Sequence, residues 1–381
     1  MIIYFDNAAT SCPKPLCVKE AVTRMLDGYY SGNAGRGAHP VSLAAAKTVY
    51  DARLATAEFF GCDSPEKVVF TYNATYALNI AIGGVLRRGD NVIISNLEHN
   101  SVLRPLAGRE NYGVSYSVFD ALCGDDKIIE NIKKLVRQNT RLLVCTHVSN
   151  VIGKILPIAR IGALCKKYGI IFVLDASQSA GSIKIDVNKD NIDILCAPGH
   201  KGLLGPQGSG FLIVNNENLM LSPYICGGNG VNSLETDMGM YMPERLEGGT
   251  VGTPAIAGLH SGIKYVSKEG IDGIFRKEKH LADICRERIG QIKNVNIIRP
   301  EYQESGIVLF TVGGKSSSDV AKALANENVC VRSGYHCASL AHKALGTTNG
   351  GCVRASFGIF NSENEVFIFA KNLDSLIKKG I

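Results

Sequence analysis

Lys201 stands where lysines seldom stand, between two short apolar runs, 192–197 and 210–214, on a connection carrying Pro198, Gly199, Gly202, Gly205, Pro206 and Gly208. Most surface lysines ride on polar helices, and a loop lysine taken alone reads as solvated. Its company changes that reading. Asn73, Ala74 and Thr75 follow an apolar run at 68–70, His99 follows one at 91–95, Asn150 one at 142–146, and Asp175 with Gln178 one at 170–174, while His200 adjoins the lysine itself. Thr75 or Asp175 taken singly reads as a helix cap or loop residue, but five polar positions at the ends of apolar strands read as a site. An amine and a carboxylate at the mouth of one sheet suit Schiff-base chemistry. The amine condenses with an aldehyde and the carboxylate partners a protonated ring nitrogen, which is what pyridoxal 5'-phosphate requires. Backbone N–H groups at 73–75, opening a helix, would take the phosphate together with the Thr75 hydroxyl, and His99 would cover the ring face. A nucleotide site competes with this reading.

The elements that must position these residues follow from the pattern of apolar runs. Strands are expected at 68–70, 91–95, 114–118, 142–146, 170–174, 192–197 and 210–214, with helices over 76–85, 128–138 and 158–167 between them. Alternation of this kind implies an α/β fold with a mostly parallel sheet flanked by helices, and such sheets bind ligands at the carboxyl ends of their strands. A dinucleotide site would need G-x-G-x-x-G directly after a strand and opening a helix. Gly205-Pro206-Gln207-Gly208-Ser209-Gly210 instead precedes a strand, and Gly199-His200-Lys201-Gly202 lacks the trailing Ser or Thr of a nucleoside-triphosphate loop. Upstream, a short extended run at 2–5 leads to helices over 16–26 and 41–60, separated by the glycine-rich loop 31–40 that holds Arg36 and His39. Downstream come helices over 255–268, 274–292, 318–327 and 363–379 and strands at 295–298 and 307–312, a smaller α/β layer.

With 381 residues the chain suggests two domains. They are placed at 1–255 and 256–381, with residues 1–20 or so expected to pack on the smaller one. Hydrophobic residues at 45% and charged ones at 20% indicate a folded globular protein. The formal charge of +6 is spread through helical patterns such as 125–137, which favours an anionic small molecule over nucleic acid. No apolar run reaches membrane-spanning length and no secretory signal opens the chain, so a cytoplasmic location and no membrane partner are expected. The twelve cysteines show no Cys-x-x-Cys spacing. They read as reduced, buried small hydrophobes with no metal site, except for Cys337 in its polar, glycine-containing surroundings.

Ordered motifs from end to end then carry a family resemblance. Tyr4-Phe5-Asp6-Asn7-Ala8-Ala9, Gly35-Arg36-Gly37-Ala38-His39, Glu98-His99-Asn100, His147-Val148-Ser149-Asn150, Asp175-Ala176-Ser177-Gln178, Gly199-His200-Lys201 and Arg332-Ser333-Gly334-Tyr335-His336-Cys337-Ala338 together resemble the cysteine desulfurases and selenocysteine lyases of the class V aminotransferase group. The last motif is similar to the second desulfurase group. The resemblance implies the fold type I of pyridoxal-phosphate transferases and makes Lys201 the Schiff-base lysine, Asp175 the ring-nitrogen partner and His99 the stacking residue. It further implies Gln178 on the phenolic oxygen, Thr75 and His200 on the phosphate, Asn150 orienting substrate or ring, and Arg354 as a bidentate clamp on the substrate carboxylate. Thr250 would reach the partner subunit's phosphate, and Arg36 and His39 would line the neighbouring site, which presupposes a homodimer. Pro198, Asn73 and Tyr335 depart from the family pattern.

The chemistry implied is removal of sulfur from L-cysteine. Lys201 takes the Cα proton, Cys337 attacks the substrate sulfur with help from His336 or Arg332, alanine leaves, and the persulfide passes to an acceptor protein in iron–sulfur or sulfur-cofactor assembly. A selenocysteine lyase acting on L-selenocysteine is the alternative. A transaminase would have no use for the Cys337 loop, and a non-catalytic sulfur or metal carrier is the reading from another class.

Overall fold

The computed structural model describes residues 2–35, 37–231, 234–301 and 304–380. In chain order the elements are β1 (Ile3–Tyr4), α1 (Leu16–Arg24), α2 (Pro40–Phe59), β2 (Val68–Thr71), α3 (Ala74–Val85), β3 (Asn91–Ser95), α4 (Asn100–Ala107), β4 (Ser115–Phe119), α5 (Asp125–Leu135), β5 (Thr140–Thr146), α6 (Ile158–Tyr168), β6 (Ile171–Asp175), β7 (Ile194–Pro198) and β8 (Gly210–Val214). They continue with α7 (Thr253–Glu269), α8 (Ile271–Gly290), β9 (Val295–Ile298), β10 (Ile307–Val312), α9 (Ser317–Asn326), β11 (Val329–Cys330), β12 (Arg332–Gly334), α10 (Ser339–Ala344), β13 (Cys352–Ser356) and α11 (Glu363–Lys379).

Seven strands form the main sheet in the order β2-β8-β7-β6-β5-β3-β4. All neighbours run parallel except β8, which is antiparallel to both β2 and β7. The expected α/β class and mostly parallel sheet are therefore what the chain adopts. The exception has a local cause. Between β7 and β8 the chain has only residues 199–209, with no helix to cross over, so the second strand must return beside the first in the opposite sense. The Lys201 loop is this return.

Alternation along each strand builds two cores. Leu142, Val144, Ile171, Val173, Ile194 and Cys196 pack on one face of the sheet. Leu143, Cys145, Phe172, Leu174, Leu195 and Ala197 pack on the other. A buried position on both faces is the usual fate of a parallel strand covered by helices.

A second, antiparallel sheet has the order β12-β13-β10-β9. Its core joins Phe310, Val353 and Ala355 to Leu281, Leu324 and Phe369 of the helices. Phe5 belongs to this core, edge-on to Phe357 and Phe369. β1 pairs parallel with β11, so the start of the chain is built into the C-terminal layer.

Five elements, α4, β11, β12, α10 and β13, escape sequence reading. The helix α4 has Pro105 inside it and begins within the Glu98-His99-Asn100 motif. Cys352-Val353-Arg354-Ala355-Ser356, with a charge at its centre, carries no strand expectation, yet it is a fully buried strand. β12 and α10 are too short for periodicity to register. The expectation of buried cysteines also needs correction. Six are buried, but Cys12 and Cys226 are exposed and Cys17, Cys123 and Cys330 partly so. All twelve are free thiols. None of the described helices is long and apolar enough to cross a membrane.

The edge of β2 is closed by a buried ion pair. Arg53 on α2 donates from Nη1 and Nη2 to Glu247 Oε1 and Oε2 at 2.8 and 2.6 Å, and the same Oε1 accepts the Phe70 N–H at 2.6 Å. This carboxylate occupies an edge amide that would otherwise invite another strand. Glu247→Ala strands a buried guanidinium, a loss of about 3–5 kcal/mol. A clearly lower urea midpoint is expected, and Arg53→Met/Glu247→Leu together should recover most of it.

Candidate active site

The carboxyl ends of β2, β3, β5, β6 and β7 open onto one cavity of about 320 Å³. Thr75, His99, Asn150, Asp175, Lys201 and Cys337 all line it. So do Ala74, Gln178, His200, Arg332 and Arg354, which brings eleven of the expected site residues to one place.

Lys201 is brought there by close backbone packing. Gly199 N–H donates to Ser209 O at 2.8 Å, and a Cβ at Gly199 would lie 2.2 Å from Ser209 Oγ. Only glycine allows the loop to close this tightly. From the other side the N-terminal segment grips the His200 carbonyl, which accepts from Ser11 N at 3.1 Å, Thr10 Oγ1 at 3.0 Å and Lys14 Nζ at 2.8 Å. Burial lowers the Lys201 amine to about 8, the nearby Arg354 and Arg332 adding to the shift and Asp175 opposing it. An amine so placed has a substantial uncharged, nucleophilic fraction near neutral pH.

Asp175 ends β6, is buried, and accepts Ser177 N–H at 2.9 Å on Oδ1. His99 caps α4. Its Nδ1 accepts Ser101 N–H at 3.0 Å and lies 2.8 Å from Ser101 Oγ, which puts the ring proton on Nε2. Burial holds its pKa below the ordinary histidine value, with Asp175 opposing. Ser101 Oγ in turn lies 2.7 Å from Thr75 Oγ1. Ser101 thus joins His99 to the α3 hydroxyl, a role that sequence reasoning missed because α4 went unseen.

The departures acquire physical meaning. Asn73 N-caps α3, its Oδ1 accepting Tyr76 N–H at 3.1 Å, which leaves the first amides of the helix, at Ala74 and Thr75, without intrahelical acceptors. A Cβ at Gly210 would sit 2.6 Å from Asn73 Cα, so β8 presses directly on this turn. Pro198 ends β7 opposite Gly210. Tyr335 is exposed, ties its loop by donating to Thr348 O at 2.8 Å, and does not line the cavity.

Arg354, 2% exposed on β13, spends its terminal amines within the protein. Nη2 bonds Asp6 Oδ1 at 2.8 Å and Nη1 donates to Asn150 O at 2.8 Å, while Nε is buried without a partner. The expected bidentate fork is thus partly committed, leaving the Nε edge for a carboxylate. Asp6 is a second residue that sequence reasoning quoted without assigning a role.

Cys337 is exposed at the mouth of the cavity. His336 cannot serve it as a nearby cation, because burial pushes that imidazole down to about 3. Three residues stand apart. His39 is an exposed N-cap of α2, Thr250 lines a separate recess with Tyr72 and Tyr76, and Arg36 lies outside the described residues.

The residues present fit pyridoxal phosphate. His200 and Arg354 line the cavity, and His200 Nδ1 and Arg354 Nε are buried with no hydrogen-bond partner. The uncapped α3 amides add an anion-binding helix start.

A lysine on a glycine-rich return, facing a carboxylate at the next strand end, defines an α/β enzyme built for amine chemistry at the mouth of its sheet. The Aminotransferase class-V profile matches residues 3–369, and the chain belongs to that family. It is 33% identical to a probable cysteine desulfurase of Methanothermobacter thermautotrophicus, covering 99% of this chain and 95% of the relative. To one of Pyrococcus abyssi it is 34% identical, covering 99% and 94%. Among solved structures it is similar to the apo cysteine desulfurase of Thermococcus onnurineus NA1, with 34% identity, a TM-score of 0.90 and coverage of 99% and 95%. The Escherichia coli cysteine desulfurase CsdA, as its S-sulfonic acid, follows with 25% identity, a TM-score of 0.89 and the same coverage, 99% and 95%.

Glu98 lies beneath this site, fully buried. Oε1 accepts from Thr146 N at 3.0 Å and from Ser95 Oγ, and Oε2 has no partner. Burial pushes the carboxyl up to about 8, with the Asp175 charge adding to the shift and the two hydrogen bonds opposing it. The folded pKa exceeds the unfolded one, so the associated stability is full below the unfolded value and is lost as pH rises through about 8. Glu98→Gln keeps the shape without the titration. Its Tm should fall less than that of the wild type between about pH 5 and about pH 9.

Proposed function

We propose that this chain is a pyridoxal-phosphate-dependent cysteine desulfurase, which removes sulfur from L-cysteine, releases L-alanine and holds the sulfur as a persulfide on Cys337. The observation that carries this is one cavity lined by Lys201, Asp175, His99 and an exposed Cys337. The full-length likeness to proteins named cysteine desulfurase supports it.

Pyridoxal phosphate would supply an electron sink for the Cα carbanion. Lys201 would hold it through Nζ, Asp175 at the ring nitrogen and His99 over the ring, with the neutral Nε2–H form of His99 suiting a stacking role. Ala74 and Thr75 amides, the Thr75 hydroxyl and His200 would bind the phosphate, and Gln178 the phenolic oxygen. Gln178 Nε2 also donates to Ala8 O at 2.9 Å, which fixes the side chain's direction. The substrate carboxylate meets the Nε edge of Arg354, with Asn150 and Arg332 beside it.

Lys201 Nζ, held near 8 by burial, is suited to take the Cα proton and return it. Cys337 Sγ forms a bond to the substrate sulfur as the Cβ–S bond breaks, the electron pair remaining with the carbon skeleton that leaves as alanine. The exposure of Cys337 then lets an acceptor protein reach the persulfide for iron–sulfur or sulfur-cofactor assembly. A homodimer would bring Thr250, Arg36 and His39 of a second copy to the site, and a division at 255/256 would let the layer carrying Cys337 act as a unit.

Incubation with L-cysteine should add sulfur to Cys337, read by mass spectrometry, and release alanine. Cys337→Ala should keep the cofactor absorbance and lose persulfide formation, whereas Lys201→Ala should lose the absorbance of the lysine-bound cofactor. Undiminished cysteine turnover in Cys337→Ala would refute the nucleophile role.

A further inference from the structure

Cys337 sits on a loop whose backbone is held against its preference. His336 and Cys337 both adopt positive φ, 50° and 55°. The left-handed region is strained for any residue with a Cβ, and two in succession persist only where the surroundings over-determine them. Two carbonyls are pinned in part: Asn150 Nδ2 donates to His336 O and Asn100 N–H to Cys337 O, both at 2.7 Å. These bonds fix the backbone's edges but leave the His336 ring to be held by something else.

We propose that His342 is a positioning residue for Cys337, acting through the ring of His336. This rests on Cys337 being the sulfur-accepting thiol. The imidazoles meet edge to edge, with centroids 5.4 Å apart and planes 20° apart, and His336 Nδ1 lies 3.2 Å from His342 Nε2. His342 Nδ1 is 2.7 Å from Thr347 Oγ1, and His336 Nε2 is 3.4 Å from Arg332 O. One proton arrangement satisfies the whole chain. Thr347 Oγ–H donates to His342 Nδ1, His342 Nε2–H donates to His336 Nδ1, and His336 Nε2–H donates to the Arg332 carbonyl. Both rings are then neutral, in keeping with burial that leaves them 4% and 1% exposed and lowers both pKa values. The Tyr335 ring closes the remaining side of His342, edge-on at 5.5 Å.

His342 therefore touches, by hydrogen bond or ring edge, the two residues that precede Cys337, and does not itself line the cavity. An apolar side chain of similar volume would fill the space yet leave His336 Nδ1 buried and unpaired, a loss that lets the strained loop relax. A thiol displaced by an ångström or so loses about 100-fold in rate without loss of substrate binding.

The test compares wild type, His342→Leu, His342→Gln and Thr347→Val as cofactor-loaded protein. Alanine release gives kcat and KM, and iodoacetamide gives the alkylation rate of Cys337 without substrate. His342→Leu should lower kcat by about 10- to 100-fold with KM within about twofold and cofactor absorbance unchanged. His342→Gln, which keeps a donor and an acceptor, should recover most of the loss. A His342→Leu protein with wild-type kcat and alkylation rate overturns the proposal, as does a Gln variant no better than Leu. Should the Leu variant fail to fold, Thr347→Val decides alone: a several-fold drop in kcat at constant KM supports the chain, and an unchanged kcat overturns it. Wild-type protein that releases no alanine from cysteine overturns the desulfurase reading instead. The alkylation rates then still decide positioning, with equal rates in wild type and His342→Leu ruling it out.

Discussion

One buried guanidinium ties the architecture to the site. Arg354 lies on a strand of the C-terminal sheet, bonds Asp6 of the N-terminal segment through Nη2, and donates through Nη1 to the carbonyl of Asn150, beyond a strand of the main sheet. Asn150 in turn holds His336 O on the loop of Cys337. Three separate parts of the chain and the thiol loop are therefore referred to a single charge. Removing one partner of such a buried pair typically costs about 3–5 kcal/mol, because the other is left uncompensated. The main sheet holds the lysine and the C-terminal sheet holds the cysteine, and their registration depends on this contact.

The N-terminal segment does more than begin the fold. Its first residues complete the C-terminal core through Phe5 and the β1–β11 pairing, and residues 10–14 grip the carbonyl beside Lys201. The same short stretch, which also supplies Asp6 to Arg354, therefore bridges the two layers. A site assembled between layers, with its lysine lowered by burial and its carboxylate one strand away, gains reactivity from being dry. The charges that make it dry also hold it together.

Much of the site was legible because its residues follow strands. Strand ends are readable from apolar runs, and in an α/β sheet they converge on one edge whatever the loops do. Lys201, Asp175, His99, Thr75 and Asn150 could be gathered on that ground alone. The C-terminal contributors could not. β13 carries Arg354 in its middle, so its burial is invisible to a pattern that expects charges outside, and α4 holds a proline that reads as a break. Ser101 and His342 went unseen because the short helices that carry them were not expected, and Asp6 had no role because its partner Arg354 is brought near only by folding.

The sequence by itself determined the α/β class, the parallel run of the main sheet, the lysine on a glycine-rich return and the family, because these rest on local periodicity, turn chemistry and ordered motifs. Only the tertiary structure decided which charges are spent on one another. Arg354 has just its Nε edge left, His336 is neutral and joined ring to ring with His342, Glu98 holds a proton, and Cys337 stands exposed on a strained turn. The physical reason is desolvation: protonation state and hydrogen-bond commitment depend on what surrounds a group in space, and residues hundreds of positions apart supply those surroundings.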